Sequence, residues 1–345
     1  MPCNHMFKAL LLICYLVFTR SLDESVQMAQ KMLSERNGII TTKNRLVAMI
    51  LFAHKEPKPK QSLLRCSLEL LAKNVMANSK ATGTQHGTQL DIFVWVPKSF
   101  STPRWLENMT NVYVMNIPEE AWTIPKGLPP FSSWVMSYRF PLEYFKMGRW
   151  RLTFSFKFVS AMGYRYMLQI DDDTFVMSPV NYNIIETLTK GNNSNSFLFA
   201  AWDRYDGETR QVWVELPEFV AAWVKKRSYQ KKICGPLLEH FENKVESLAG
   251  ITTIGWDKQI IRGNFNIWDM DFINSEIVQE FLQDILATGK DITQRWQEQA
   301  VYNMIRLLFV PDSRVFFFKD VKIEHKLHGF KSITELCPAV SEDNS

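Results

Sequence analysis

The sequence predicts one α/β domain, with a mostly parallel central sheet flanked by helices and an irregular C-terminal half. Two near-continuous apolar runs of strand length, Leu46 to Ala53 (LVAMILFA) and Leu90 to Val96 (LDIFVWV), have the pattern of strands covered on both faces. Between them, Ser62 to Met76 places Leu63, Leu64, Cys66, Leu68, Leu70 and Leu71 at helical spacing. Strand, helix, strand opens a parallel sheet, in which ligands gather at the C-terminal strand ends. The chain has 345 residues, 46% of them hydrophobic, and no glycine- or proline-rich linker divides it, so a single large core is the simplest organisation.

The elements follow in order. Within residues 1–20, Phe7 to Phe18 (FKALLLICYLVF) is apolar except for Lys8. This is shorter than the about 20 residues that cross a bilayer, and suits a cleaved signal peptide or a short signal anchor, with a buried N-terminal helix as the third reading. Residues 21–43 read as a stem: Ser21 with Glu24 forms a capping box, Leu22, Val26, Met32 and Leu33 make a partial apolar stripe, and Gly38 is a stop. The folded body spans 44–345. Beyond the first two strands it carries expected strands at Asn111 to Met115, Tyr166 to Ile170 and Phe197 to Trp202. Helices are expected at Ser155 to Met162, Pro217 to Lys226, Leu237 to Leu248, Ser275 to Thr288 and Gln297 to Leu308. Gly191 to Ser196 is a polar loop, and there is no internal repeat.

Lysine and arginine number 40 against 36 aspartate and glutamate, a net charge of +4, which gives no basic face for a nucleic-acid partner. The one basic cluster, Lys55 to Lys60, holds two prolines and reads as a solvated loop. Two acceptor sequons, Asn108-Met109-Thr110 and Asn192-Asn193-Ser194, agree with a secretory compartment. Of five cysteines, Cys3 and Cys14 lie in or before the targeting segment, so Cys66, Cys234 and Cys337 allow at most one internal disulfide and fit no zinc spacing.

Tyr164 to Val176 (YRYMLQIDDDTFV) carries the strongest chemical signal. An apolar strand delivers Asp171, Asp172 and Asp173 to its end, where carboxylates repel one another unless a cation neutralises them. Hard oxygen ligands suit Mg²⁺ or Mn²⁺, which can bridge the phosphates of a nucleotide diphosphate. The competing reading is a solvated acidic turn. A two-metal phosphohydrolase or nuclease on the same acids needs a basic groove that the charge balance does not supply.

Downstream stand GNFNIWDMDF (Gly263 to Phe272), RWQEQAVYNM (Arg295 to Met304), FFFKDVKIEH (Phe316 to His325) and Cys337-Pro338. Upstream are IPEEAWTIP (Ile117 to Pro125) and Ser137-Tyr138-Arg139. In this order the segments resemble the fungal Golgi α-1,2-mannosyltransferase family, glycosyltransferase family 15-like, of which the chain is identified as a divergent member. The likeness runs from about residue 44 to 338, and the distance from Asn266 to His325, 325 − 266 = 59 positions, needs no insertion.

The resemblance implies a GT-A-type, Rossmann-like fold and a metal-dependent, retaining transfer of mannose from GDP-mannose onto a glycan or glycoprotein acceptor. It also implies Mn²⁺ or Mg²⁺ as cofactor and a Golgi location, type II membrane or lumenal, with secretion as the alternative. Asp171, Asp173 and His325 are the implied metal ligands, with His328 as competitor for the histidine and Glu324 or Asp320 as groups to orient it. Tyr138, Arg139, Trp122, Asp172, Arg295 and Trp296 are implied at the donor or substrate. Trp122 and Trp296 offer flat faces to a sugar, and each tryptophan is equally good core material. Glu298 stands where the family has an aspartate near the acceptor hydroxyl. Asp269 and Asp271 match an acidic pair that reads either as catalytic or as strand-end structural acids.

The clearest departure is Asn266, where the family carries a glutamate. An amide is neither a carboxylate nucleophile nor a general base. Three outcomes remain open from sequence: transfer through a short-lived oxocarbenium-like species with Asn266 as a dipole, a carboxylate supplied by Asp269 or Glu298, or an inactive relative that binds nucleotide sugar or glycan without turnover.

Overall fold

The computed structural model describes residues 3–38, 41–54, 60–76, 88–189, 198–204, 215–227, 259–317, 321–325 and 332–337. The helix expected at Leu237 to Leu248, the loop at Gly191 to Ser196, Cys234, Asp320, His328 and the second sequon lie outside these residues.

Seven strands form the main sheet: β1 (Leu46–Leu51), β2 (Leu90–Val96), β3 (Val112–Asn116), β4 (Tyr166–Ile170), β6 (Leu198–Arg204), β7 (Gln259–Asp269) and β8 (Val315–Phe317). Their order is β3-β2-β1-β4-β7-β6-β8. Every residue of β1, β2 and β4 is buried, as their apolar sequences require of strands covered on both faces. All strands run parallel except β7, which is antiparallel to β4 and β6. This long inserted strand was not expected from sequence, because its polar Asn264 and Asn266 interrupt any apolar run. Both are buried, and they share the sheet face of Trp268, while Phe265 and Ile267 face the other core.

One core lies under α1 (Cys3–Asn37), α4 (Leu142–Leu152), α5 (Phe154–Ala161), α7 (Leu216–Arg227), α9 (Glu276–Thr288) and α11 (Glu298–Phe309). The other lies under α2 (Gln61–Leu71) and α6 (Ile184–Thr189); α3 (Arg104–Glu107) and α10 (Lys290–Thr293) are single turns. Helix α4 was not anticipated, since its sequence, LEYFKMGRWRL, is too basic to read as core-facing; its arginines are paired with distant acids instead.

The N-terminal helix corrects one expectation. Ser21 and Glu24 do not form a capping box, because α1 continues through them from the apolar segment and no helix start exists there. The Ser21 hydroxyl donates to Glu120 across to the body, and Glu24 accepts from Arg20 one turn away. Ala29 and Leu33 are buried in the main core, and the Arg36 guanidinium donates to the backbone carbonyls of Val112 and Glu107, so this part of the helix is fastened to the sheet. Gly38 ends the helix in the left-handed region, φ 59°, where a side chain would be strained. Among the described residues no helix is long and apolar enough to cross a membrane.

A second, two-stranded antiparallel sheet joins β5 (Thr174–Val176) to β9 (Ile323–His325). Helix α2 and the π-helical turn after it (Ala72–Met76) brace it: the Ser67 hydroxyl donates to the Thr174 carbonyl (2.6 Å) and the Asn74 amide to the Val176 carbonyl (2.6 Å). Cys66 of α2 and Cys337 form a disulfide across 271 positions, with Cα atoms 5.8 Å apart, packed with Phe175 in a small apolar cluster. Closing so long a loop restricts the unfolded chain, and replacing both cysteines by serine is expected to lower stability by about 2–4 kcal/mol. Guanidinium unfolding with and without reductant checks this, since reduced parent and variant should unfold at similar midpoints.

Candidate metal and donor site

The strand order 3-2-1-4 reverses direction between β1 and β4, and ligands of open α/β sheets occupy the crevice at such a switch point. The acidic triplet leaves β4 there. After Ile170 the chain turns tightly, with the Thr174 amide donating to the Asp171 carbonyl and the Asp171 amide donating to the Asn264 carbonyl of β7 (3.3 Å). The turn sends Asp171 and Asp173 to one histidine and Asp172 to another.

Asp171 and Asp173 meet His325. Thr174 and His325 are register partners across the β5–β9 pair, which carries the imidazole from the C-terminal region to the triplet. His325 Nε2 lies 3.1 Å from Asp173 Oδ1 and 3.6 Å from Asp171 Oδ2, and one ligand atom from each of the three residues falls within 4.8 Å of the others. All three side chains are half-buried. Two carboxylate oxygens and one imidazole nitrogen at this separation fit a borderline divalent cation such as Mn²⁺. Glu324 cannot orient the ring, because neighbouring residues on a strand point to opposite faces, and its carboxylate lies instead 3.8 Å from Lys322 Nζ.

Asp172 turns away to the end of β1, where its Oδ2 is 2.6 Å from His54 Nε2. Burial raises the pKa of this carboxyl, partly offset by the hydrogen bond and charge of His54. The pair ties the ends of β1 and β4 together at the switch point, and sequence reasoning missed His54.

Arg151 was also missed. From α4 its guanidinium donates one arm to Asp171 Oδ1 and the other to Glu298 Oε1 (2.9 Å), and both Arg151 and Glu298 are buried. Burial alone would lower the arginine pKa; the attraction of Asp171 and Glu298 and the hydrogen bond to Asp171 outweigh it and raise it. The close approach of α4 to the start of α11 is set by Gly148, since a Cβ there would sit 2.9 Å from Gln297 Cγ and 3.1 Å from Glu298 Oε2. The only sequence signal was a pair of arginines flanking a tryptophan in a helix otherwise surrounded by core residues.

Other sequence candidates go elsewhere. Asn266 is fully buried and pairs in register with Gln169 of β4; the Gln169 amide donates to the Gly263 carbonyl (2.6 Å) and its oxygen accepts from Tyr302 (2.6 Å). Asp269 pairs in register with Tyr166, the first residue of β4, so it lies at the opposite end of the strand from Asp171. Five residues of extended chain from Asn264 separate the two ends by about 16 Å. There Asp269 caps α8 (Met270–Ile273) by accepting from the Asp271 amide and takes a 3.2 Å contact from Arg165. Asp269 and Asp271 therefore lie at the far end of the strand and do not join the cluster.

Trp296 is corrected to a core residue: it is fully buried against Phe219, and no face is left for a sugar. Arg295 holds a left-handed backbone, φ 56°, with its guanidinium 4.5 Å over Phe140 and bonded to the Tyr144 hydroxyl. Tyr138 is 79% exposed and Arg139 is exposed beside it on the loop before α4. Trp122 is half-buried on a short 3₁₀ turn and lines an open cavity of about 550 Å³ with Ile124, Leu142 and Lys146.

A model of the family described as glycolipid 2-alpha-mannosyltransferase matches residues 108–329, well over half of the chain. The probable mannosyltransferase KTR3 of Saccharomyces cerevisiae is 20% identical over 229 residues, 61% of this chain and 51% of that protein. Glycolipid 2-alpha-mannosyltransferase 1 of Candida albicans is 21% identical over 227 residues, 61% of this chain and 48% of that protein. The chain thus spans about half the length of these relatives. The crystal structure of core-mannan synthase A from Aspergillus fumigatus, in its Mn/GDP form, superposes with a TM-score of 0.63 at 17% identity, covering 84% of this chain and 77% of that one. The Saccharomyces cerevisiae mannosyltransferase Ktr4p in complex with GDP gives 0.62 at 13% identity, over 91% and 86% of the two chains. These structures share the fold, which is the GT-A type expected from the motifs. The chain belongs to the glycolipid 2-alpha-mannosyltransferase family.

Proposed function

We propose that this protein is a metal-dependent retaining glycosyltransferase that moves mannose from GDP-mannose onto a glycan or glycoprotein acceptor. The observation that carries the reading is the meeting of Asp171, Asp173 and His325 at the β1–β4 switch point of a family member. These residues would hold Mn²⁺ or Mg²⁺, which when bound supplies charge to offset the diphosphate of the leaving nucleotide. Asp171 is oriented by Arg151, and His325 by its strand pairing. Asn266, buried in the sheet as a neutral amide, offers no carboxylate nucleophile, which supports stepwise loss of the nucleotide over a covalent glycosyl-enzyme. Tyr138 and Arg139, exposed before α4, and Trp122 on its cavity are the groups available to a donor or acceptor hydroxyl.

Residues 1–20 are proposed to direct the chain into the secretory pathway, as a cleaved signal or a short anchor, with residues 21–43 leading into the catalytic body 44–345. The Cys66–Cys337 disulfide and the exposed first sequon at Asn108 support an oxidising lumen. Purified protein with GDP-mannose, Mn²⁺ and mixed mannoside acceptors is expected to release GDP and lengthen an acceptor with retained anomeric configuration. Release of no nucleotide from GDP-mannose or any other common sugar nucleotide would overturn the activity.

A further inference from the structure

We infer that Glu298 is a positioning residue for the metal centre: it acts through Arg151 to keep Asp171 an effective anionic ligand, and does not act on the acceptor. The inference rests on the metal-binding reading above and concerns a residue that the family motif places at the acceptor.

The geometry assigns the role by charge. Asp171 gives one oxygen to the Arg151 guanidinium and leaves the other, Oδ2, toward His325. A buried guanidinium bonded to a ligand carboxylate competes directly with a cation for that carboxylate, since both are attracted by the same charge. Alone, Arg151 would weaken the metal site it orients. Glu298 holds the other arm of the same guanidinium at 2.9 Å, and both side chains are only 5% exposed, so solvent does little to screen the pair. Asp171, Asp173 and Glu298 against Arg151 give 1 − 3 = −2, the complement of one divalent cation.

Glu298 has little else to do. Its second oxygen, Oε2, is buried and finds no hydrogen-bond partner among the described residues, and the whole residue is 3% exposed at the first turn of α11 beneath α4. A carboxylate so buried presents no surface to a hydroxyl arriving from solvent. Gly148 keeps α4 close enough for the contact, and the Tyr302 hydroxyl, one helical turn along α11, reaches Gln169 on β4 beside the triplet. The ladder Glu298, Arg151, Asp171 therefore runs from helix to helix to strand end. Partners of this kind typically set metal affinity over ten- to hundredfold.

The test titrates MnCl₂ alone into the full chain, without sugar nucleotide or acceptor, by calorimetry and by loss of the free-Mn²⁺ spin-resonance signal. Glu298→Gln, which keeps the shape and a hydrogen bond to Arg151 but removes the charge, is expected to bind Mn²⁺ about ten- to hundredfold more weakly. Glu298→Asp, which restores the charge, is expected to recover most of that loss. If Glu298→Gln does not fold, the double variant Arg151→Met with Glu298→Met carries the test. It removes one charge of each sign, and an affinity within about tenfold of the parent supports the compensation, whereas a hundredfold loss overturns it. Mn²⁺ affinity unchanged in Glu298→Gln, with transfer lost, overturns the inference in favour of an acceptor role. A parent that binds no Mn²⁺ overturns both this inference and the metal-dependent function, so the two failures are told apart.

Discussion

Arg151→Met is expected to destabilise the protein by about 3–5 kcal/mol, a fall in melting temperature on the order of 10 °C, because it strands two carboxylates around a buried site. The arginine is 4% exposed and holds Asp171 on one arm of its guanidinium and Glu298 on the other. The cost comes from the acids left behind, and the size of the pair's own attraction is secondary. This distinction is measurable. Adding Glu298→Met to Arg151→Met should return much of the lost stability, since two apolar side chains of similar volume leave one charge fewer to bury. Urea unfolding of the parent, the two single variants and the double closes the cycle, and a double variant less stable than Arg151→Met would show that packing, not charge, holds α4 to α11.

Asp173→Ala is expected to abolish Mn²⁺-dependent GDP binding and to reduce sugar transfer by at least about a hundredfold while leaving the unliganded fold intact. Asp173 is half-buried and faces His325 and Asp171, so without a cation its charge is a source of repulsion toward Asp171. The variant should therefore melt at or slightly above the temperature of the unliganded parent. The difference emerges on titration. A ligand that binds only the folded state raises its melting temperature with concentration, so Mn²⁺ plus GDP should shift the parent and leave Asp173→Ala unmoved. An equal shift in both proteins would place the metal elsewhere.

Much of this architecture could be read directly from the residues, and the failures share a cause. β1, β2 and β4 announce themselves because strands covered on both faces are almost wholly apolar. The acidic triplet stands out for the opposite reason, three charges at the end of such a strand. His325 became legible only through the ordered motifs, since nothing local to it signals that β9 will pair with β5. What stayed hidden depends on partners far along the chain. β7 carries two buried asparagines and α4 two arginines, so neither shows a clean apolar period; the arginines are paired with acids more than a hundred positions away. Asp269, Asp271 and Trp296 were placed near the chemistry because their motifs lie beside it in sequence. A motif does not say which end of a strand it occupies, and the antiparallel direction of β7 carries Asp269 to the end of β4 away from Asp171.

The β5–β9 pairing has a consequence for when the site comes into being. The carboxylate and imidazole proposed as ligands are separated by 325 − 171 = 154 positions, and the disulfide beside them spans 271. Synthesis delivers the aspartates long before the histidine, and contacts of such separation form late because the chain between them must be ordered first. Until β9 docks, the acidic turn is a crowded pair of carboxylates without its nitrogen ligand. On the function proposed above, the ion site cannot be assembled on a half-made chain, and competence to bind the ion is acquired at the end of folding, together with the covalent link between α2 and the C-terminal region.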